Sequence, residues 1–127
     1  MINLNPFAIT AAITAFTCFG VLIIVFNLGQ TKLHKIWAVF NLAVASWATC
    51  VLFAAISTSP TIAFVFWKFA HGFGIYVSIV FFHFVSVYCN LQHRILIRTA
   101  YLYGICFNFL NFANNGLFLY KGVYFFI

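Results

Sequence analysis

From position 61 to position 90 the chain reads TIAFVFWKFAHGFGIYVSIVFFHFVSVYCN, about thirty residues with one formal charge, Lys68. At about 1.5 Å per residue, a helix over this stretch outspans a hydrocarbon core of about 30 Å. It predicts a transmembrane helix around which the remaining apolar runs pack. It also carries Lys68, His71, Ser78 and His83, side chains that need partners in a bilayer.

The rest of the inventory agrees. The 127 residues include no Asp or Glu, and 5% are charged, against about a quarter in soluble domains. No water-exposed surface can be built from that set. The missing carboxylates also exclude a carboxylate acid/base pair, a carboxylate metal site and an acidic proton relay. There is no Gly-rich phosphate loop, no GxSxG elbow and no HExxH helix. The residues therefore point to a non-enzymatic chain with no cofactor and no metal site. The net charge of +6 raises nucleic acid as a partner, but its placement argues against it. The cations sit in pairs at the ends of apolar runs, the mark of cytoplasmic loops. Cys18, Cys50, Cys89 and Cys106 fall in or beside apolar runs and are expected to pack rather than form disulfides.

The expected fold class is all-α, a polytopic transmembrane bundle of about four spans, over residues 7–28, 36–56, 61–90 and 99–120 of a single region 1–127. Thr10, Thr14 and Thr17 are tolerable in the first span because a threonine hydroxyl can bond back to its own helix. The alanines of the second span permit close helix approach. The turn STSP carries no charge, whereas loops 29–35 and 91–98 hold four of the six Lys and Arg. The positive-inside rule then puts both basic loops in the cytoplasm and the N-terminus outside.

Two polar stripes are candidate sites. His71 and Ser78 are seven residues apart and so nearly share a helical face; Lys68 joins its edge, and Gly74 leaves room beside it. On the fourth span Tyr101, Gly104, Asn108, Asn111 and Asn115 fall within about 80° of one another at 100° per residue. One reading makes both stripes packing faces with hydrogen-bonded polar groups. The other joins them as the lining of a ligand or sensing pocket formed by Lys68, His71, Ser78, Asn108, Asn111 and Asn115. His83 is expected to bond a neighbouring helix. Cys89 and His93 supply only two ligands at i,i+4, too few for a zinc site.

Three stretches carry a family resemblance: HKIWAVFNLAVASWATCVLF after the first basic turn; STSP followed by FWKFAHGFG, with Trp67, Lys68 and Gly74; and the aromatic-rich FFHFVSVYCN. More loosely, NFANNGLFLY adds to them. In this order they resemble the N-terminal seven-transmembrane sensor region of certain bacterial histidine kinases. The resemblance spans about 100 residues. It implies a membrane-embedded sensor, truncated to about four of seven helices, passing a signal to a cytoplasmic output domain that lies outside the sequence. Membrane lipids, a second copy of the chain and an unidentified small-molecule signal are the partners this reading implies. The alternatives are a small channel or transporter subunit and a structural subunit of a membrane complex. The absence of acids counts against a cation or proton pathway.

Overall fold

The computed structural model describes residues 5–91 and 93–113. They form four helices, each long and apolar enough to cross a membrane: α1 (Pro6–Leu28), α2 (Lys32–Ile56), α3 (Pro60–Tyr88) and α4 (Arg94–Ala113). The connections are short, and sequential helices pack antiparallel, α1 on α2, α2 on α3 and α3 on α4.

Local chemistry sets the helix ends. Asn5 caps α1 by accepting from the Phe7 N–H at 3.1 Å, with Pro6 in the first helical position. Thr31 and His34 form a reciprocal capping box: the His34 N–H donates to Thr31 Oγ1, and the Thr31 N–H to His34 Nδ1. This cap starts α2 at Lys32 rather than at position 36, so Lys32, His34 and Lys35 lie in its first turn and not in a loop. Pro60 opens α3.

α3 closes two residues before its predicted end at 90. Asn90 has φ 54°, the left-handed conformation that asparagine tolerates. Its N–H donates to the Val87 carbonyl, and the Leu91 N–H to that of Ser86 at 2.8 Å. This is the paired termination of a Schellman motif, with Asn in the place glycine usually takes. α4 begins at Arg94, five residues before the predicted 99, so both arginines of the second basic loop are helical. The remainder of the predicted span, 114–120, lies outside the described residues, as does Asn115.

The core is built from small side chains. Ala8, Ala45 and Ala48 are fully buried, and Ala70 and Val51 nearly so. Ala11 of α1, Val51 of α2 and Ala70 of α3 form one cluster, with Cys50, Leu52 and Trp67 packed against it. Small residues let backbones approach, which is how helices gain contact in lipid, where burying apolar area brings nothing. Aromatic pairs fix the α2–α3 register: Trp37 with Phe84 at 4.9 Å, Phe40 with Phe81 at 5.8 Å and Phe53 with Phe66 at 5.1 Å. Large apolar groups point outward instead; Phe16 is 84% exposed and Ile95 80%.

Several hydroxyl and amide groups bond within their own helices. Thr10, Thr14 and Thr17 donate to the carbonyls of Phe7, Thr10 and Ile13 at 2.8–2.9 Å. Thr49, Ser86 and Thr99 do the same one turn back, as does the buried Asn41 amide to Trp37. An apolar exterior over helices whose backbones are hydrogen-bonded internally is the arrangement a bilayer requires. We read the chain as a multi-pass membrane protein.

Candidate functional site

α3 is the central element of the polar architecture. One face carries Ala70 into the α1–α2 core, and another meets α4. Contact with α4 runs along an antiparallel seam. The His83 ring lies edge-on to Tyr101, with Nδ1 3.2 Å from the Tyr101 hydroxyl. One step along, Gly104 is buried against Ile79 and Tyr76; a Cβ there would stand 2.6 Å from Ile79 Cδ1. Next, Asn108 Nδ2 donates to the Gly72 carbonyl at 3.3 Å, and Asn111 Nδ2 to the Lys68 carbonyl at 3.0 Å. Phe69 and Phe112 extend the seam, their rings 5.1 Å apart.

Two features give the seam its chemistry. Both asparagines bond backbone carbonyls, on α3 residues one turn apart, so side-chain amides add a second acceptor role to carbonyls of the α3 backbone. And the missing side chain at Gly72 admits Asn108: a Cβ at Gly72 would lie 2.6 Å from Asn108 Oδ1. That oxygen is buried without a conventional hydrogen-bond partner. The bare Cα of Gly72 is what leaves this oxygen room.

The fourth-span stripe therefore faces the bundle, with Tyr101, Gly104, Asn108 and Asn111 all on α3. The α3 stripe is distributed differently from the expectation. Lys68 meets Asn111 through its backbone, while its ammonium lies 5.0 Å from the Phe64 ring centroid, a cation–π distance. His71 and Ser78 are exposed, turned about 100° from the Gly72–Tyr76–Ile79–His83 face at 100° per residue. The His71 Nδ1–H donates to the Trp67 carbonyl at 2.9 Å, and the imidazole lies edge-on to the Trp67 ring. The room beside Gly74 is taken by the Trp47 indole, 3.5 Å from where a Cβ would sit. His71 and Ser78 thus share one face, and Asn108 and Asn111 meet another.

A second polar region lies at the helix ends, where α2 and α4 start and α3 stops. A cleft of about 470 Å³ is lined by Lys32, His83, Ser86, Asn90, Arg94 and Arg98, with Val87, Leu91 and Ile97. In the sequence these cations mark orientation and lack any acidic partner within the chain, which leaves lipid phosphates, backbone carbonyls or acids outside it, but they are not assembled there into one cleft. The signal was present: His83, Ser86 and Asn90 follow at i, i+3 and i+7, and Arg94 and Arg98 at i, i+4, each set on one helical face. What hid it was the placement of Arg94 and Arg98 in a loop, whereas they belong to a helix.

All four cysteines are free thiols; Cys50 packs against the core cluster, while Cys89 and Cys106 are exposed. Compared with protein-family models, curated proteins and solved structures, the chain matches none of them.

Proposed function

We propose that the chain is a membrane-embedded signal-sensing region of a bacterial cytoplasmic membrane, in which α4 shifts against an α1–α3 unit. The observation that supports this reading is the character of the α3–α4 seam. α1, α2 and α3 share a packed small-residue core. α4 meets α3 along a seam that joins polar contacts to the packing of Gly104 and Phe112, and of its residues only Gly104 is buried. An asparagine amide on a backbone carbonyl finds a chemically equivalent acceptor one turn away. The recess at Gly72 that admits Asn108 sets the present register, so a signal that moves α4 must favour the other register itself; one-turn steps are an established way for packed helices to switch. A ligand or membrane property that favours one register shifts the population toward it. In this reading, as in the resemblance to histidine-kinase sensor regions, the shift passes to an output domain beyond the sequence.

The coding DNA tests it. Downstream of codon 127, three further apolar spans, then a phospho-acceptor histidine and an ATP-binding domain, are expected. A reading frame that closes within a few codons would leave a four-helix subunit and overturn the sensor reading.

The same proposal orients the chain with its N-terminus outside, because Lys32, Lys35, Arg94 and Arg98 gather at one end of the bundle and the 57–59 turn at the other carries no charge. With the native cysteines replaced by alanine, single cysteines at His34 and His93 should resist a membrane-impermeant maleimide added to intact cells and react once the cells are opened. A cysteine at Thr58 should show the reverse. Labelling of either histidine position from outside sinks this orientation.

A further inference from the structure

The basic cleft at the helix ends is a second polar region, beside the α3–α4 seam on which the sensing reading rests. Three of its lining residues, Lys32, Arg94 and Arg98, are cations, and His83, Ser86 and Asn90 add neutral polar groups. The chain has no Asp or Glu anywhere, so no carboxylate side chain within it can neutralise them. Helix geometry adds to the imbalance. Lys32 and Arg94 are the first residues of α2 and α4, where the unpaired N–H groups carry partial positive charge and cations are unfavourable. The C-terminal ends of α1 and α3 lie at the same side and offset part of this. At α3, however, the Schellman bonds from Asn90 and Leu91 already occupy the carbonyls of Val87 and Ser86.

The cleft is open at the surface, with its three cations exposed. Its volume is in the range of small-molecule pockets, about 300–1,000 Å³. It draws on three helices, and its donors differ in kind: the guanidinium groups of Arg94 and Arg98, suited to bidentate recognition of phosphate oxygens; the Lys32 ammonium; and the amide of Asn90. Val87, Leu91 and Ile97 provide an apolar side. Ser86 is almost fully buried and donates to the Phe82 carbonyl, which leaves its oxygen lone pairs rather than its proton toward the cleft. His83 is engaged with Tyr101. The cations, not the hydroxyl, are therefore the recognising groups.

We infer that this cleft binds a phosphate group, as carried by an anionic phospholipid at the membrane face or by a soluble phosphate. Basic pockets between transmembrane helices suit lipid phosphates, with each cation near the surface worth about a five-fold change in binding. This inference stands independently of the sensing reading, since it requires neither movement of α4 nor an output domain.

The test uses the full chain in nanodiscs and native mass spectrometry. With phosphatidylglycerol mixed into phosphatidylcholine, the wild type should retain phosphatidylglycerol preferentially. Arg94→Gln and Arg98→Gln should each weaken retention about five-fold, and the triple variant with Lys32→Gln should remove the preference. Lys35→Gln removes a charge at the same end without altering the cleft lining and should leave the preference intact. Thermal unfolding of each variant, measured in parallel, separates lost binding from lost fold. In a second arm, millimolar inorganic phosphate is added. Displacement of the lipid, or saturable binding of phosphate to lipid-depleted protein that Arg94→Gln and Arg98→Gln abolish, assigns the site to a soluble phosphate. Persistence of the lipid assigns it to the headgroup. If the folded triple variant retains phosphatidylglycerol as the wild type does, or the wild type binds neither lipid nor phosphate preferentially, the inference is overturned.

Discussion

Replacing Ala70 by leucine should destabilise the bundle by about 1–3 kcal/mol, the usual cost of overpacking a tight core. Ala70 is 1% exposed and sits where α3 meets Val51 of α2 and Ala11 of α1. Three added carbons have no space there unless a helix backs away, and because the neighbours are themselves small, the strain reaches backbone rather than flexible side-chain tips. The measurement is detergent- or heat-induced unfolding of the purified chain, followed by helical circular dichroism. Phe16→Leu is the matched control: its ring is 84% exposed, and surface changes usually fall within about 0.5 kcal/mol. An Ala70→Leu protein as stable as the control would show that the three helices do not meet as closely as their alanines suggest.

Gly72→Leu should act two residues away with a different outcome. Two positions along a helix face nearly opposite ways, at about 200°. Position 72 therefore looks away from the core and onto α4. Its new Cβ would stand 2.6 Å from Asn108 Oδ1, and the amide cannot withdraw without releasing the Gly72 carbonyl. We expect α4 to separate from a bundle that otherwise persists. Spin labels at Phe16 in α1 and Phe109 in α4, both on exposed positions, should report one narrow distance in the parent and a broad or displaced distribution in Gly72→Leu. Asn111→Leu should do the same more weakly, since interhelical bonds of this kind average about 0.6 kcal/mol and reach about 2. Gly20→Ala, where an added methyl meets open space, should leave the distance unchanged. An unaltered distance in both seam variants would mean that α4 is held by something other than its polar contacts.

These two positions also show what could be read ahead of the structure. The four helices, their antiparallel order and the self-bonded threonines follow from long apolar runs and from the need of each backbone and hydroxyl for a partner. The α4 stripe was legible because its polar residues are few and evenly spaced in apolar surroundings, so the face needing a partner could be named. The α3 face was harder. On that helix the seam is made by Gly72 and by backbone carbonyls, which no side-chain pattern records, while the conspicuous His71 turns onto Trp67 of its own helix. A polar side chain marks a face only where its own helix cannot satisfy it. Helix ends failed for a related reason. The basic residues near 32 and 94 suggested loops, whereas a threonine–histidine cap draws the first set into α2, and Arg94 and Arg98 lie within the opening turns of α4.

The self-bonded hydroxyls have a consequence for how such a chain is made. In α1 the threonines need no neighbour, and the helix can leave the insertion machinery for lipid alone. Apolar character then falls in chain order from α1 to α4, and α4 exposes two amides whose acceptors are on α3. Synthesis from the N-terminus delivers α3 first. Of the described helices the least apolar thus follows, in chain order, the one that holds acceptors for its amides.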